Sequence, residues 1–151
     1  MLVAQGHSLR KGRFSESLRA YLVTTVTLDR QPMFADIASG RHVVRVLREA
    51  QQTGLAETLA FVVMPDHVHW LFTLTGGELS ALVNRVKSRS AILINRARAA
   101  SGPVWQRGFH DHAVRRDEDV HALARYVVAN PVRAGIVARV GDYPLWDAVW
   151  I

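Results

Sequence analysis

Residues 58–74 read TLAFVVMPDHVHWLFTL, and this stretch decides how the rest of the chain can fold. Two runs rich in apolar, β-branched and aromatic residues flank Pro65-Asp66, a turn-forming pair. Residues 58–64 and 67–74 are therefore expected to be two strands of a hairpin with a tight connection. Side chains alternate along a strand, so His67 and His69 project to one face, with Val68 and Trp70 opposite. Two imidazoles one strand repeat apart can chelate a single metal ion. The plain alternative is a pair of satisfied or edge histidines. His110 and His112 repeat the spacing in a more polar setting, beside Arg107, Asp111, Arg115 and Arg116.

Upstream, residues 19–28 (RAYLVTTVTL) have strand composition. Asp36 is a candidate N-cap for a helix carrying Ile37, Val43, Val44 and Leu47 at helical spacing, with Gly54 as its stop. Downstream, Gly76-Gly77 precedes a long helix over residues 78–100. Its stripe is Leu79, Leu82, Val83, Val86, Ser90, Leu93, Ile94 and Ala97. Residues 104–115 are expected to form a strand or a ribbon around Gly108. Asp117-Glu118-Asp119 then opens a last main helix, which Pro131 should end at Asn130. The order β-α-β-β-α-β-α, with a hairpin at its centre, predicts an α+β ferredoxin-like sandwich. Its antiparallel sheet should carry helices packed on one face.

Several positions off the apolar stripes suggest binding. Arg85, Arg89 and Arg96, at i, i+4 and i+11 on the long helix, lie close to one face. With Lys87 they can track a phosphate backbone; a solvated helix face is the alternative. Trp105, Gln106 and Arg107 combine a stacking surface with hydrogen-bonding groups, as a reader of single strands needs. Core packing is the alternative for the aromatics there and the preferred reading of Phe109. On the last helix Tyr126 and Asn130 are four residues apart, one above the other on the flank of the apolar stripe. They suit a nucleophile and an amide ligand, or equally a packing residue and a helix-end residue set by Pro131.

Composition narrows the classes. The chain has 151 residues, 49% of them hydrophobic, and no cysteine. That length can bury a core without disulfide or zinc staples, and one domain over 1–151, with its core at about 12–146, is expected. The absence of cysteine excludes disulfide scaffolds, thiol nucleophiles and every cysteine-ligated metal centre. Apolar runs fall short of a membrane span. The net charge is +6, and only Lys11 and Lys87 among the nineteen cationic residues are lysines. The remaining seventeen are arginines, whose planar forks suit phosphate oxygens and base faces. The N-terminal residues lack a secretory signal pattern, so a cytoplasmic, nucleoid-associated protein is expected.

The segments MPDHVHWLF, VWQRGFHDHAVR and YVVANPVRAG, in this order and spacing, resemble the REP-associated tyrosine transposases. These are bacterial relatives of the single-tyrosine HUH transposases, where H is His and U an apolar residue. The resemblance implies the ferredoxin-like fold, with His67 and His69 as metal ligands, Asn130 as the third ligating side chain and Tyr126 as nucleophile. It also implies a divalent cation, Mg²⁺ or Mn²⁺, and single-stranded, hairpin-forming DNA as partner. The implied reaction is cleavage through a 5′-phosphotyrosine that leaves a free 3′-hydroxyl and can be reversed. Asn130 departs from the Gln of the better-known insertion-sequence enzymes, which fits the REP-associated branch. No long basic C-terminal extension is visible. The resemblance is compatible with a homodimer or a monomer. The competing readings are a DNA-hairpin-binding protein without turnover and a metal-dependent hydrolase indifferent to Tyr126.

Overall fold

A computed structural model describes residues 19–115 and 117–149. The basic cluster at residues 10–13, with Lys11, and Arg116 lie outside the described residues. Strand β1 (Ala20–Val26) leads through two short 3₁₀ turns to helix α1 (Ile37–Gln52). The hairpin β2 (Ala56–Val63) and β3 (His67–Leu74) follows, then helix α2 (Leu79–Arg98) and strand β4 (His110–Ala113). Helix α3 (Val120–Val128), a single further turn α4 (Asn130–Arg133) and strand β5 (Trp146–Ala148) complete the order.

The five strands form one sheet in the order β4-β1-β3-β2-β5, with every neighbouring pair antiparallel. The first four strands and the two long helices have the ferredoxin-like arrangement that the element order predicts. Strand β5 was not anticipated. Its three residues cover the outer edge of β2, which would otherwise expose unpaired backbone groups.

Burial of the central hairpin shows how the layers sit. Leu71 and Phe72 are adjacent in β3, face opposite ways, and are both fully buried. So are Ala60, Val62 and Val63 in β2. Both faces of the hairpin are therefore covered, which the alternating pattern of a half-exposed sheet would not require. The long helices α1 and α2 pack against each other on the face carrying Val68, Trp70 and Phe72, the helix-bearing face expected from the element order. There Trp70 and Phe72 stack with centroids 3.9 Å apart, and the Trp70 indole N–H donates to Thr58 Oγ1 at 2.9 Å. Helix α3 packs on β2, β3 and β5 and covers the opposite face with Ala124, Val127 and Val128. That second face bears His67 and His69. No helix among the described residues is long and apolar enough to cross a membrane.

The tyrosine helix departs from its expected boundary in an informative way. Pro131 does interrupt it, because proline has no N–H for the helical ladder. The chain nevertheless resumes one residue after the break at Ala129. Pro131 sits in the first turn of α4, where its missing donor costs little. The Ala129 N–H still donates to Arg125 O, and the Arg133 N–H to Ala129 O. The path thus stays close to helical from Tyr126 to Arg133.

Candidate functional site

Adjacent strand and helix ends bring His67, His69 and Asn130 together. In β3 the two histidines occupy alternate positions on one face, and their rings meet edge to face with centroids 4.8 Å apart. Each ring is held through the same nitrogen. His67 Nδ1 lies 2.7 Å from Asp66 Oδ1, and His69 Nδ1 lies 2.8 Å from Thr24 Oγ1, its cross-strand partner in β1. With Nδ1 of His67 held by a carboxylate and Nδ1 of His69 by a hydroxyl, the Nε2 atoms face away from these partners, the usual arrangement of histidine metal sites. The Asn130 amide sits against one of them, with Nδ2 3.4 Å from His67 Nε2. Turning the amide about its last torsion presents Oδ1 at the same place.

Electrostatics favour a neutral imidazole at His69. Burial first, then the charges of His67 and Arg133, push His69 down from 6.5 to about 4. Burial alone would raise the Asp66 carboxyl, but hydrogen bonds from His67 and Arg30, and their charges, hold it below its ordinary 3.8. Asp66 therefore remains an anion behind His67, with Arg30 Nη1 3.0 Å from its second oxygen. Arg30 reaches it from a turn in which two consecutive non-glycine residues, Asp29 (φ 55°) and Arg30 (φ 52°), are left-handed. Buried Thr27 braces this turn by donating to Gln31 O and Asp66 O. Such backbone strain persists where the surroundings enforce it.

The donor set fits a hard or borderline divalent ion. Two imidazoles and an amide oxygen leave positions for water and phosphate oxygens, and no thiolate is present to favour a soft metal. Among the described residues no cluster of three or more His, Cys, Asp or Glu side chains is available to hold a metal, so a site here depends on the amide.

Tyr126 stands on α3, with 55% of its surface exposed. The Arg133 guanidinium lies over its ring, with Cζ 3.8 Å from the centroid. Tyr126, Asn130 and Arg133 follow i, i+4, i+7 spacing along the interrupted helix, which places them on one side. Because Asn130 meets His67 of the same chain, the tyrosine helix docks on its own sheet.

The residues expected to contact DNA divide into two groups. Arg85, Arg96, Gln106 and Arg107 are exposed. Arg89 instead forks onto the Glu49 carboxylate of α1, at 3.2 and 3.3 Å, tying the long helices together. Lys87 Nζ donates to the carbonyls of Gln106 and Gly108 at 2.8 and 2.7 Å, which pins the loop before β4. Trp105 is 8% exposed; its ring packs on Phe34, and its N–H donates to Ser90 Oγ at 3.0 Å. Trp105 is thus a core residue of the free protein, without a face open for base stacking.

The second histidine pair is split. His112 Nε2 is 2.9 Å from the Glu118 carboxylate. His110 lines a cleft of about 280 Å³ with Thr24, Val26 and residues 106–109. Asp66 was read in the sequence only as part of a turn, and its place immediately before His67 was the available signal. Nothing local could identify Thr24, whose role depends on strand register.

Comparison with known proteins identifies the family. The family model described as "Transposase IS200 like" matches residues 15–130. A REP-associated tyrosine transposase of Escherichia coli K12 is 33% identical over 90 residues, covering 58% of this chain and 52% of the relative. A candidate REP-associated tyrosine transposase of Haemophilus influenzae is 29% identical over 99 residues, covering 58% and 56%. The matched region spans about half the length of these curated relatives. A solved REP-associated tyrosine transposase bound to a REP hairpin superposes with a TM-score of 0.70. It is 23% identical, and the match covers 95% of this chain and 82% of that one. A candidate transposase from Deinococcus radiodurans gives a TM-score of 0.55 at 20% identity, covering 86% of this chain and 97% of that one. At these identities the structural matches establish the fold.

Proposed function

Given that the chain belongs to the IS200-like transposase family, we propose that it is a metal-dependent DNA strand transferase acting on hairpin-flanked single strands. The observation that carries this reading is the meeting of Asn130 with His67 Nε2, within a histidine pair already oriented through Nδ1. An oriented pair with an amide alongside suits ligation better than a structural role, for which the part-buried imidazoles would need no Nε2 turned toward an amide.

In this reading His67, His69 and Asn130 hold Mg²⁺ or Mn²⁺, which supplies Lewis-acid polarisation of the scissile phosphate. Asp66 and Thr24 hold the two rings in the ligating orientation. Tyr126 Oη attacks phosphorus and the P–O3′ bond breaks. The phenolic proton passes to solvent, and the 3′-oxygen gains a proton as it leaves. The product is a 5′-phosphotyrosine and a free 3′-hydroxyl. Because one phosphodiester replaces another, the 3′-hydroxyl can attack in turn and rejoin the strand without ATP. Arg85, Arg96, Gln106 and Arg107 are the exposed groups available to bind DNA. The hairpin-bound relative supports folded DNA of the REP type as substrate. The tyrosine helix docked on its own sheet favours a site completed within one chain.

The test is incubation of the protein and Mn²⁺ with hairpin DNA labelled at either end. Label on the 3′ side of the break should become bound to the wild-type protein, chelator should abolish the adduct, and Tyr126→Phe should form none. An adduct on Tyr126→Phe, or hairpin binding without nicking by the wild type, would overturn the reading.

A further inference from the structure

Arg133 is a charged group that the mechanism above leaves without a task. Its exposed guanidinium has no carboxylate partner among the described residues, in contrast to Arg30, Arg89, Arg98, Arg115, Arg125 and Arg139. Its contact is the face of the Tyr126 ring, at 3.8 Å, well within cation–π range. Position strengthens the case. Arg133 ends the turn that Asn130 begins, so Tyr126, the amide at His67 and the guanidinium share one side of the interrupted helix.

A cation placed this close to a candidate cation site is unfavourable unless an anion completes the group. The acid that holds His67, Asp66, is already shared between His67 and Arg30. The missing partner is therefore an incoming anion, and a phosphodiester matches the fork of a guanidinium.

Building on the proposed strand-transfer function, we propose that Arg133 is a catalytic residue that grips a non-bridging oxygen of the scissile phosphate beside Tyr126. In the free protein it is held over the phenol ring. In the reaction it offsets the negative charge that builds on the phosphoryl oxygens as the Tyr126 Oη–phosphorus bond forms and the P–O3′ bond breaks. Preorganised donors aimed at developing charge carry a large part of phosphoryl-transfer catalysis. The bonding changes are those already given, and no further reactant is needed.

The test compares wild type, R133Q and R133K, each with Mn²⁺, on two hairpin substrates. One has the natural phosphodiester at the scissile position; the other has a methylphosphonate, which lacks one non-bridging charge. On the natural substrate R133Q should form the Tyr126 adduct about 100-fold more slowly, with R133K between it and wild type. Hairpin affinity should fall far less than the rate, Mn²⁺ affinity should not fall, and the melting temperature should stay near the wild-type value. On the methylphosphonate most of the R133Q penalty should disappear, because the charge that Arg133 serves is gone. An equal penalty on both substrates would make Arg133 merely structural and overturn the proposal, as would a wild-type rate in R133Q on the natural substrate. If R133Q loses its fold, R133K is read alone: an unchanged rate ratio between the two substrates overturns the proposal. A wild-type protein that forms no adduct overturns the strand-transferase reading and this inference with it, whereas failure in the Arg133 variants alone leaves that reading intact.

Discussion

Asn130 Nδ2 lies 3.4 Å from His67 Nε2, although 63 residues separate them in the chain. The contact joins the end of the tyrosine helix to the first residue of β3, and it makes the histidine pair part of a larger site. Replacing Asn130 by Ala should therefore weaken Mn²⁺ binding by about 10-fold or more while the fold is kept. Asp66→Asn should weaken it by about 10- to 100-fold, since outer partners orient the ligating ring. Titration calorimetry with Mn²⁺ measures both. Unchanged affinity in Asn130→Ala would remove the amide from the ligand set.

Stability should depend on pH through His69. Its folded value of about 4 lies below the 6.5 of the unfolded chain. Between these values the unfolded chain binds a proton that the native protein does not. This contribution to stability is complete above pH 6.5, falls as the pH drops and is exhausted below about 4, with an upper limit of about 3 kcal/mol. Melting temperatures of metal-free protein from pH 7 to pH 4.5 should fall in wild type and fall less in His69→Asn. Parallel curves would exclude His69 as the source.

Trp105 and its loop neighbours should separate stability from binding. Trp105→Ala removes a buried indole and its bond to Ser90, at a cost of about 3–5 kcal/mol in denaturant unfolding. Gln106→Ala and Arg107→Ala alter exposed side chains and should shift stability by no more than about 0.5 kcal/mol. Their effect is expected in hairpin affinity. A stable Trp105→Ala with weakened DNA binding would reverse this assignment.

On α2, Arg85 and Arg96 are exposed, while Arg89 is tied to Glu49. Arg85→Ala and Arg96→Ala should each weaken hairpin binding and lower the slope of log affinity against log salt by about 1. Arg89→Ala should leave that slope nearly unchanged. Fluorescence anisotropy over a salt series discriminates these outcomes, and equal slopes for all three variants would contradict the division.

Much of the fold was legible because its signals are local. Strand alternation placed β3 at residues 67–74, as observed, and helical spacing placed the two long helices to within a few residues. Asp36 is the N-cap of α1, but its carboxylate binds Ser39 and Arg98 rather than a helix N–H. The ribbon expected over residues 104–115 contracts to β4 at His110–Ala113, with an isolated bridge from Trp105 to Thr27. Gly108, at φ 77°, turns the chain between them. Strand β5 left no usable pattern: three residues are too few to show alternation, and its partner β2 lies far away in the chain.

The sequence by itself determined the order of the elements up to the tyrosine helix, the face shared by His67 and His69, and the vertical alignment of Tyr126 with Asn130. All of these depend on the periods of strand and helix, which act over a few residues. Only the tertiary structure decided that Thr24 and Asp66 orient the two rings and that Asn130 reaches His67. It also decided that Arg133 covers Tyr126, that Arg89 and Lys87 are engaged by Glu49 and by loop carbonyls, and that Trp105 is buried. Those outcomes depend on strand register and on which surfaces dock. Packing settles both between residues tens of positions apart, where local periodicity carries no information.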